Sequence, residues 1–223
     1  MTVFYLIRHG ETDWNVQGRF QGQQNPPLNA TGETQARHVA NALARYHFDA
    51  IYTSDLLRSV QTAEAIAQPH GIAPLPDPRL REVHFGAWEG FTVAEVAERW
   101  PEIQANWRAD SLRTRPPDGE TIEDLYARVV QLLPEIVERY PEGTVAIVAH
   151  GGPLRALITQ ALDATLSSFR HLSLDNCSIS ILRWQNTHST LVRFNDVCHL
   201  TGDYRHPSWD EAGDQWRRAL SSE

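Results

Sequence analysis

Hydrophobic and polar positions along the chain follow the pattern of an α/β protein. Three short runs are almost continuously apolar, which is typical of strands buried on both faces of a parallel sheet. They cover Val3 to Ile7, Ala50 to Ser54 and Thr144 to Ala149. Because segments with helical periodicity follow these runs, the order of elements predicts a doubly wound α/β fold.

Two helices are predicted in the first half of the chain. Apolar residues recur at helical spacing between Thr31 and Tyr46, and Thr31 is the expected start of that helix. A second helix is expected from about Leu56 to Gln68, before Pro69, because proline lacks the N–H group that a continuing helix needs. Both helices would flank the sheet.

Two more helices are predicted in the second half. The segment from Thr121 to Asp124 fits a capping box, and apolar spacing continues from there to Tyr140. Pro134 is expected to kink this helix or to end its regular part. The last helix is expected to begin at Pro153, since proline is well tolerated in the first turn.

The end of the chain is predicted to hold a hairpin and a polar extension. Strands at about 178–184 and 189–195 are expected to pair through a turn centred on Asn186 and Thr187. The extension covers about 200–223, and its sequence indicates no role. We expect the 223 residues to form a single domain.

One segment interrupts the alternation of strands and helices. Between about residues 84 and 119 the composition changes to include three tryptophans, a proline-rich loop and one short helical stretch near Val93 to Trp100. We interpret this segment as an insertion that lies over the active edge of the sheet and forms a partial lid.

Composition and charge limit the kinds of partner. The chain is 41% hydrophobic with a net charge of −8, which allows a sizeable core but gives no basic surface for nucleic acid or an anionic membrane. No apolar run approaches the roughly 18 residues that cross a bilayer, and the first residues lack the features of a signal peptide. Only two cysteines occur. We therefore expect a cytoplasmic protein with no nucleic-acid or membrane partner.

Histidine–glycine pairs follow two of the predicted strands. The first strand ends in Arg8, His9 and Gly10, and the third ends in His150 and Gly151. Since the carboxyl ends of parallel strands meet at the edge where α/β sheets bind ligands, the two histidines can share one site. A neutral histidine at such an edge can attack phosphorus if fixed donors offset the charge of the phosphoryl oxygens.

Several residues could supply those donors. Arg8 is adjacent to His9, and Arg58 lies at the start of the helix that follows the second strand. A planar guanidinium pairs with phosphate oxygens through two parallel hydrogen bonds, which lysine cannot do. Asn15 and the backbone N–H groups near Gly151, at a helix N-terminus, add neutral donors.

Three carboxylates are candidates for the acid that protonates a leaving group. Glu82 lies at the start of the predicted lid, where it could first donate a proton and later activate water. Glu11 and Asp13 lie just after the first histidine–glycine turn. Spacing alone does not separate the three.

No motif for a metal or a nucleotide accompanies these residues. The chain contains no His-x-x-x-His pair, no Walker sequence and no dinucleotide-binding glycine pattern. Arg8 and Arg58 would also repel a divalent cation. We therefore expect the site to use neither a metal nor a cofactor.

Four stretches of the chain resemble the histidine phosphatase superfamily, also called phosphoglycerate mutase-like. They occur in the order found in that family, and the similarity extends over about residues 1–197. The stretches are Leu6 to Thr12 with Asn15, Ser54 to Ala63, Arg81 to Gly90, and Val148 to Gly152.

The resemblance implies a specific set of roles. His9 would carry a covalent phosphoryl group, and Arg8, Arg58 and His150, with help from Asn15, would form the phosphate pocket. Glu82 would be the proton donor, so the resemblance selects one of the three candidate carboxylates. The implied fold is a three-layer αβα structure around a mostly parallel sheet of about six strands, with one antiparallel edge strand.

Within this family, the acid segment is similar to that of phosphatases. It reads Glu82-Val-His-Phe-Gly86 and is followed by Trp-Glu-Gly and a short stretch to Gly119, whereas mutases carry Glu-Arg-His-Tyr-Gly and a longer insertion. We therefore predict a metal-independent phosphoric monoester hydrolase for a small phosphorylated metabolite. The alternatives are a phosphoglycerate mutase that depends on 2,3-bisphosphoglycerate and, with less support, a non-catalytic relative that binds a phosphorylated ligand.

A further set of residues is expected to line the substrate side of the site. Solvated charge and ordinary packing would explain the same residues equally well. The late hairpin or the lid could also support a homodimer. The proposed substrate-side residues are Phe20, Gln21, Gly22, His84, Trp107 and Arg113.

Overall fold

The computed structural model describes residues 1–185 and 188–200. The predicted hairpin turn at Asn186 and Thr187 lies outside the described residues, as does the predicted polar extension after residue 200. Within the described ranges, every helix is too short or too polar to span a lipid bilayer.

One mixed sheet forms the centre of the described chain. Its strand order is β3-β2-β4-β1-β5-β6. The four strands β1, β2, β3 and β4 run parallel to one another. The strands are β1 (Thr2–Arg8), β2 (Ala50–Thr53), β3 (Leu75–Pro76), β4 (Thr144–Ala149), β5 (Ile179–Gln185) and β6 (His188–Asp196). The predicted fold class, a mostly parallel sheet flanked by helices, is confirmed.

The antiparallel strand lies one position inside the edge. β5 lies between β1 and β6 and runs antiparallel to both of them. β6 is the outer strand on this side of the sheet. On the opposite side, β3 was not predicted, because two residues give no hydrophobic run. Its second residue, Pro76, is tolerated because an edge strand needs hydrogen bonds on one side only.

Helices cover both faces of the sheet. The described helices are α1 (Asp13–Val16), α2 (Ala30–Leu43), α3 (Leu57–Ala67), α4 (Val93–Arg99), α5 (Pro101–Ala109), α6 (Ile122–Val129), α7 (Leu132–Arg139) and α8 (Gly151–Ala161). Phe4 and Leu6 of β1 pack into a core with α6, α7 and α8, whereas Tyr5 and Ile7 pack against α2 and α3. Alternate side chains of one strand thus enter two cores, which gives the three layers.

Two helix starts differ from the prediction. α2 begins at Ala30 rather than Thr31, because the side chain of Asn29 accepts a hydrogen bond from Gly32 N (2.8 Å) and caps the helix. α8 begins at Gly151 rather than Pro153, so that His150 occupies the N-cap position. The second difference places a histidine at the positive end of a helix dipole.

Proline accounts for a break in the predicted helix after Thr121. The capping box from Thr121 to Asp124 is present, but α6 ends at Val129 and α7 begins at Leu132. The ring of Pro134 would clash with the carbonyl four residues earlier, at Val130, so the helix must break there.

The segment at 84–119 holds two helices where one was predicted. α4 matches the predicted stretch, and α5 follows it directly from Pro101, which stands at the first position of the helix. α5 was missed because, apart from alanine and proline, only Ile103 and Trp107 among its residues are apolar. Trp88, in the same segment, is fully buried. The role of this segment as a lid remains a prediction.

Candidate active site

The two strand-terminal histidines meet at one edge of the sheet. β1 and β4 are paired in register to Arg8 and Ala149, and His9 N donates to Ala149 O (2.9 Å). The rings of His9 and His150 consequently lie 5.0 Å apart between centroids. Both residues are buried, with 3% and 0% exposure.

Hydrogen bonds fix the tautomer of His9. Its Nδ1 lies 2.7 Å from Gly10 O, and since a carbonyl only accepts, Nδ1 carries the proton. Its Nε2 accepts from Nε of Arg58 (3.3 Å), which requires the lone pair on Nε2. Burial lowers the pKa of His9 well below its usual value, and the charges of Arg58 and Arg8 lower it further. His9 therefore presents a neutral, nucleophilic Nε2.

Arg58 is held on every side of its guanidinium group. It is fully buried in the first turn of α3, where Nη1 donates to Gln24 O and Nη2 to Gly22 O, both at 2.8 Å. Burial lowers its pKa to about 10, while the carboxylate of Glu82 raises it. The group is still positively charged at neutral pH, and its orientation is set before any ligand binds.

Arg8 is anchored from a segment that sequence analysis missed. Its Nη1 donates to Leu174 O (2.5 Å), while its buried Nε has no partner among the described residues. Just beyond, Asn176 Nδ2 donates to His9 O (2.9 Å) and Cys177 N donates to Arg8 O (3.0 Å). The chain before β5 thus supports both residues from behind.

His150 has two ring nitrogens without a hydrogen-bond partner among the described residues. Buried polar atoms are rarely left unpaired, so each such case calls for a physical reason. Burial lowers the pKa of His150 well below its usual value, and the charge of Arg58 and the ring of His9 lower it further. A neutral ring next to His9 is available to donate one hydrogen bond to an incoming oxygen.

Glu82 is the candidate acid that reaches the site. Its Oε1 accepts from Gly152 N (3.0 Å) and from Val83 N (2.9 Å), and Arg128 Nη2 donates to its backbone carbonyl (2.9 Å). The two rivals lie elsewhere. Glu11 accepts from Nδ2 of the capping residue Asn29 (2.9 Å), and Asp13 is exposed on α1.

Asn15 is oriented by the capping box of α1. Its Oδ1 accepts from the backbone N and the Oγ1 of Thr12, both at 3.0 Å. With that oxygen occupied, its Nδ2 is the group able to donate toward the site. Gly151 is the first residue of α8, and its carbonyl accepts from Nε of Arg155 (3.0 Å).

A cavity of about 160 Å³ opens at this edge. Eight of the predicted site residues line it, whereas Arg19 and Phe85 were missed because no sequence pattern singles them out. His150 and Gly151 lie beside the cavity rather than in its lining. The lining consists of Arg8, His9, Asn15, Arg19, Phe20, Gln21, Gly22, Arg58, Glu82 and Phe85.

Three predicted substrate-side residues do not line the cavity. The side chain of Arg113 is 74% exposed and pairs with Glu123 (3.0 Å), and that of His84 is 43% exposed. Trp107 instead packs edge-on against Phe20, with 6.2 Å between ring centroids, and so supports the wall from behind. Exposed charge and aromatic packing explain these residues.

The arrangement places the Nε2 of His9, the guanidinium groups of Arg8 and Arg58 and the carboxyl group of Glu82 around one small cavity. In the described parts of the chain, no group of three or more histidine, cysteine or carboxylate side chains is placed to hold a metal ion. A phosphoryl group in this cavity would be surrounded by the guanidinium groups of Arg8 and Arg58. Such preorganised donors stabilise charge that develops on transferred oxygens.

Known proteins are similar to this chain in sequence and in fold. The family model described as "Histidine phosphatase superfamily (branch 1)" matches residues 4–197. Phosphoserine phosphatase 1 of Hydrogenobacter thermophilus is 34% identical over 200 residues, which cover 90% of this chain and 95% of that protein. A probable phosphoglycerate mutase, GpmB, of Serratia proteamaculans is 37% identical over 218 residues, which cover 95% and 99%.

A solved structure gives the same result. YhfR of Bacillus stearothermophilus superimposes with a TM-score of 0.84 at 33% identity and covers 90% of this chain and 100% of that one. All four sequence stretches that suggested the resemblance lie inside the matched residues, so the resemblance is confirmed. The chain belongs to branch 1 of the histidine phosphatase superfamily.

Proposed function

We propose that the protein is a phosphomonoesterase that hydrolyses a small phosphorylated metabolite through a phosphohistidine on His9. The observation that carries this proposal is the orientation of His9, whose unprotonated Nε2 is held beside a cavity that also receives Glu82. A nucleophile, an oriented cation and a carboxylic acid are the groups that hydrolysis through a covalent intermediate needs.

The first half-reaction transfers the phosphoryl group to the enzyme. The lone pair of His9 Nε2 attacks phosphorus, the bond to the ester oxygen breaks, and Glu82 gives its proton to the departing alkoxide. Arg8 and Arg58 offset the charge on the transferred oxygens. Because Arg58 Nε donates to the lone pair of Nε2, this hydrogen bond breaks as Nε2 attacks, and the N–H group can then donate to a phosphoryl oxygen.

The second half-reaction returns the enzyme to its starting state. Glu82, now a carboxylate, takes a proton from water as the water oxygen attacks phosphorus. The nitrogen–phosphorus bond breaks, its electron pair returns to Nε2, and inorganic phosphate leaves. His150, which is neutral and buried, can donate to a phosphoryl oxygen in both steps without adding charge to the site.

A specific contact favours hydrolysis over mutase activity. A mutase that uses a bisphosphorylated intermediate must also bind a second phosphate group. Besides Arg8 and Arg58, the described cavity lining contains one more cation, Arg19, and this is occupied by Glu95 (3.3 Å) and by Gly90 O (2.6 Å). This part of the chain therefore offers no unpaired cation for a second phosphate.

The two activities are separated by one set of assays. The protein is incubated with 3-phosphoglycerate, with and without 2,3-bisphosphoglycerate, and in parallel with p-nitrophenyl phosphate. We expect release of phosphate that EDTA does not diminish. Formation of 2-phosphoglycerate that depends on the bisphosphate, without phosphate release, would contradict the proposal and support the mutase.

Two predictions on location and assembly extend the proposal. A cytoplasmic location agrees with a small metabolite as substrate and with a net charge of −8, which disfavours binding to nucleic acid or to an anionic membrane surface. A homodimer through the late hairpin or the 84–119 segment stays a prediction. Light scattering of the purified protein would test it directly.

A further inference from the structure

Glu89 is a buried carboxylate that no step of the proposed reaction uses. Its side chain is 4% exposed and lies just behind the cavity lining. Its Oε1 accepts from the backbone N–H groups of Gln23 (2.9 Å) and Phe85 (3.1 Å), and its Oε2 accepts from Nε2 of Gln24 (3.0 Å). These donors come from two segments that are far apart in sequence.

The first of these segments holds Arg58. The backbone carbonyls of Gly22 and Gln24 accept the two Nη groups of Arg58, and Gln23 lies between them. Gly22 has a positive φ of 52°, and a Cβ atom there would overlap Oε1 of Glu89. The backbone of this loop therefore packs directly against the carboxylate of Glu89, which leaves no room for a side chain at position 22.

The second segment carries Glu82. Phe85 lies three residues after Glu82, and its N–H group is fixed by Glu89. The two segments also meet directly, because Nε2 of Gln23 donates to the backbone carbonyl of Glu82 (3.3 Å). One carboxylate thus joins the loop that orients the arginine to the segment that orients the acid.

Burying this charge is costly, which argues for a role beyond packing. A buried carboxylate needs hydrogen bonds or a cation to offset the loss of hydration. Among the described residues, the ion-pair partner within 4.0 Å of Glu89 is Nε2 of His84, at 3.8 Å, which is charged only when protonated. The three N–H donors therefore offset most of the lost hydration of the Glu89 carboxylate, and they define the geometry of both segments.

We propose that Glu89 is a positioning residue that sets the relative placement of Arg58 and Glu82. The inference rests on the proposed function, since it assigns phosphoryl binding to Arg58 and leaving-group protonation to Glu82. Both functions should then depend on the same carboxylate, although Glu89 is not part of the cavity lining.

The test compares Glu89→Gln with a matched control, Glu120→Gln. Glu120 also accepts a backbone hydrogen bond from the acid segment, from His84 N (2.9 Å). Among the described residues its other hydrogen-bond donor is Arg128, and none of its donors belongs to the loop that holds Arg58. In each variant, orthovanadate binding by calorimetry reports on Arg58. The ratio of kcat/KM for p-nitrophenyl phosphate to that for a simple alkyl phosphate reports on Glu82.

The expected results differ between the two variants. In Glu89→Gln, the side chain loses its charge and one of its two acceptor oxygens, so we expect vanadate binding to weaken about tenfold and the aryl-to-alkyl ratio to rise about tenfold. In Glu120→Gln, the ratio should rise while vanadate binding stays within about twofold of the wild type. If Glu89→Gln leaves both quantities unchanged, or changes only the ratio as the control does, the inference is overturned.

A second variant covers the case in which Glu89→Gln does not fold. Gln24→Met removes only the side-chain donor to Oε2, and Gln24 is exposed, so folding is not at risk. We expect about threefold weaker vanadate binding with an unchanged ratio. Unchanged vanadate binding in this variant would contradict the inference.

Absence of phosphatase activity in the wild type would instead overturn the proposed function, because vanadate binding does not require turnover.

Discussion

The Nε of Arg58 lies 3.3 Å from the Nε2 of His9, so that a fully buried arginine donates to the nitrogen that attacks phosphorus in the proposed reaction. The contact has two effects on His9. It keeps the lone pair on Nε2, and its positive charge helps to lower the pKa of the ring. The guanidinium is in turn fixed by two backbone carbonyls, so its position does not depend on a bound ligand.

Replacing Arg58 with lysine should remove most of the activity while retaining the charge. A single ammonium group cannot reach His9, Gly22 O and Gln24 O at once, so the orientation of the cation is lost. We expect kcat/KM for an aryl phosphate to fall by about 10²- to 10³-fold. Arg113→Lys is the control, because the side chain of Arg113 is 74% exposed and lies outside the cavity lining. Equal effects of the two substitutions would contradict this assignment.

Replacing Glu82 with glutamine should make the rate depend strongly on the leaving group. The amide oxygen can still accept from Gly152 N, but the side chain can no longer donate a proton in the first step. We expect alkyl phosphates to slow by about 10²- to 10⁴-fold and a dinitrophenyl phosphate, whose leaving group needs no proton, to slow far less. Glu11→Gln should not change the leaving-group dependence. A uniform loss across all leaving groups in Glu82→Gln would argue against general acid catalysis.

The stability of the fold should fall as the pH drops below about 6.5, the ordinary pKa of histidine. In the folded protein, the pKa values of His9 and His150 lie well below this value, chiefly through burial. Below pH ~6.5 the unfolded chain therefore binds protons that the folded chain does not, which favours unfolding. Each histidine contributes at most about 1.4 kcal/mol per pH unit until the pH reaches its pKa in the folded state.

Urea denaturation between pH 7.5 and 5 measures this dependence. His150→Gln removes one of the two buried groups, so its free energy of unfolding should fall less steeply with decreasing pH than that of the wild type. We expect the slope to decrease by about 1 kcal/mol per pH unit between pH ~6 and ~5. Identical slopes for wild type and variant would show that His150 does not remain neutral in the folded protein.

The sequence predicted the parts of the site that lie at the ends of regular elements. β1 and β4 are buried on both faces, so their residues form continuous apolar runs, and the first polar residues after them are His9 and His150. Arg58 could be placed in the same way, from the start of α3. The choice of Glu82 over Glu11 came from family resemblance alone, because spacing does not encode which carboxylate turns inward.

The supporting contacts could not be predicted because they join distant segments. Leu174, whose carbonyl accepts from Arg8, lies 166 residues away from it in the sequence. The donors to Glu89 extend from Gln23 to Phe85, a separation of more than 60 residues. No local periodicity reports such pairs. Arg113 shows the opposite error, since its charge suggested a role in binding, whereas it forms an exposed ion pair.

The claim that His9 carries the phosphoryl group is tested most directly by trapping the intermediate. The protein is mixed with a ³²P-labelled aryl phosphate, quenched in alkali within milliseconds, and digested to locate the label. We predict an acid-labile, alkali-stable phosphoryl group on the peptide that contains His9, and neither label nor turnover in His9→Ala. Label on another residue, or turnover in His9→Ala close to that of the wild type, would contradict the covalent mechanism.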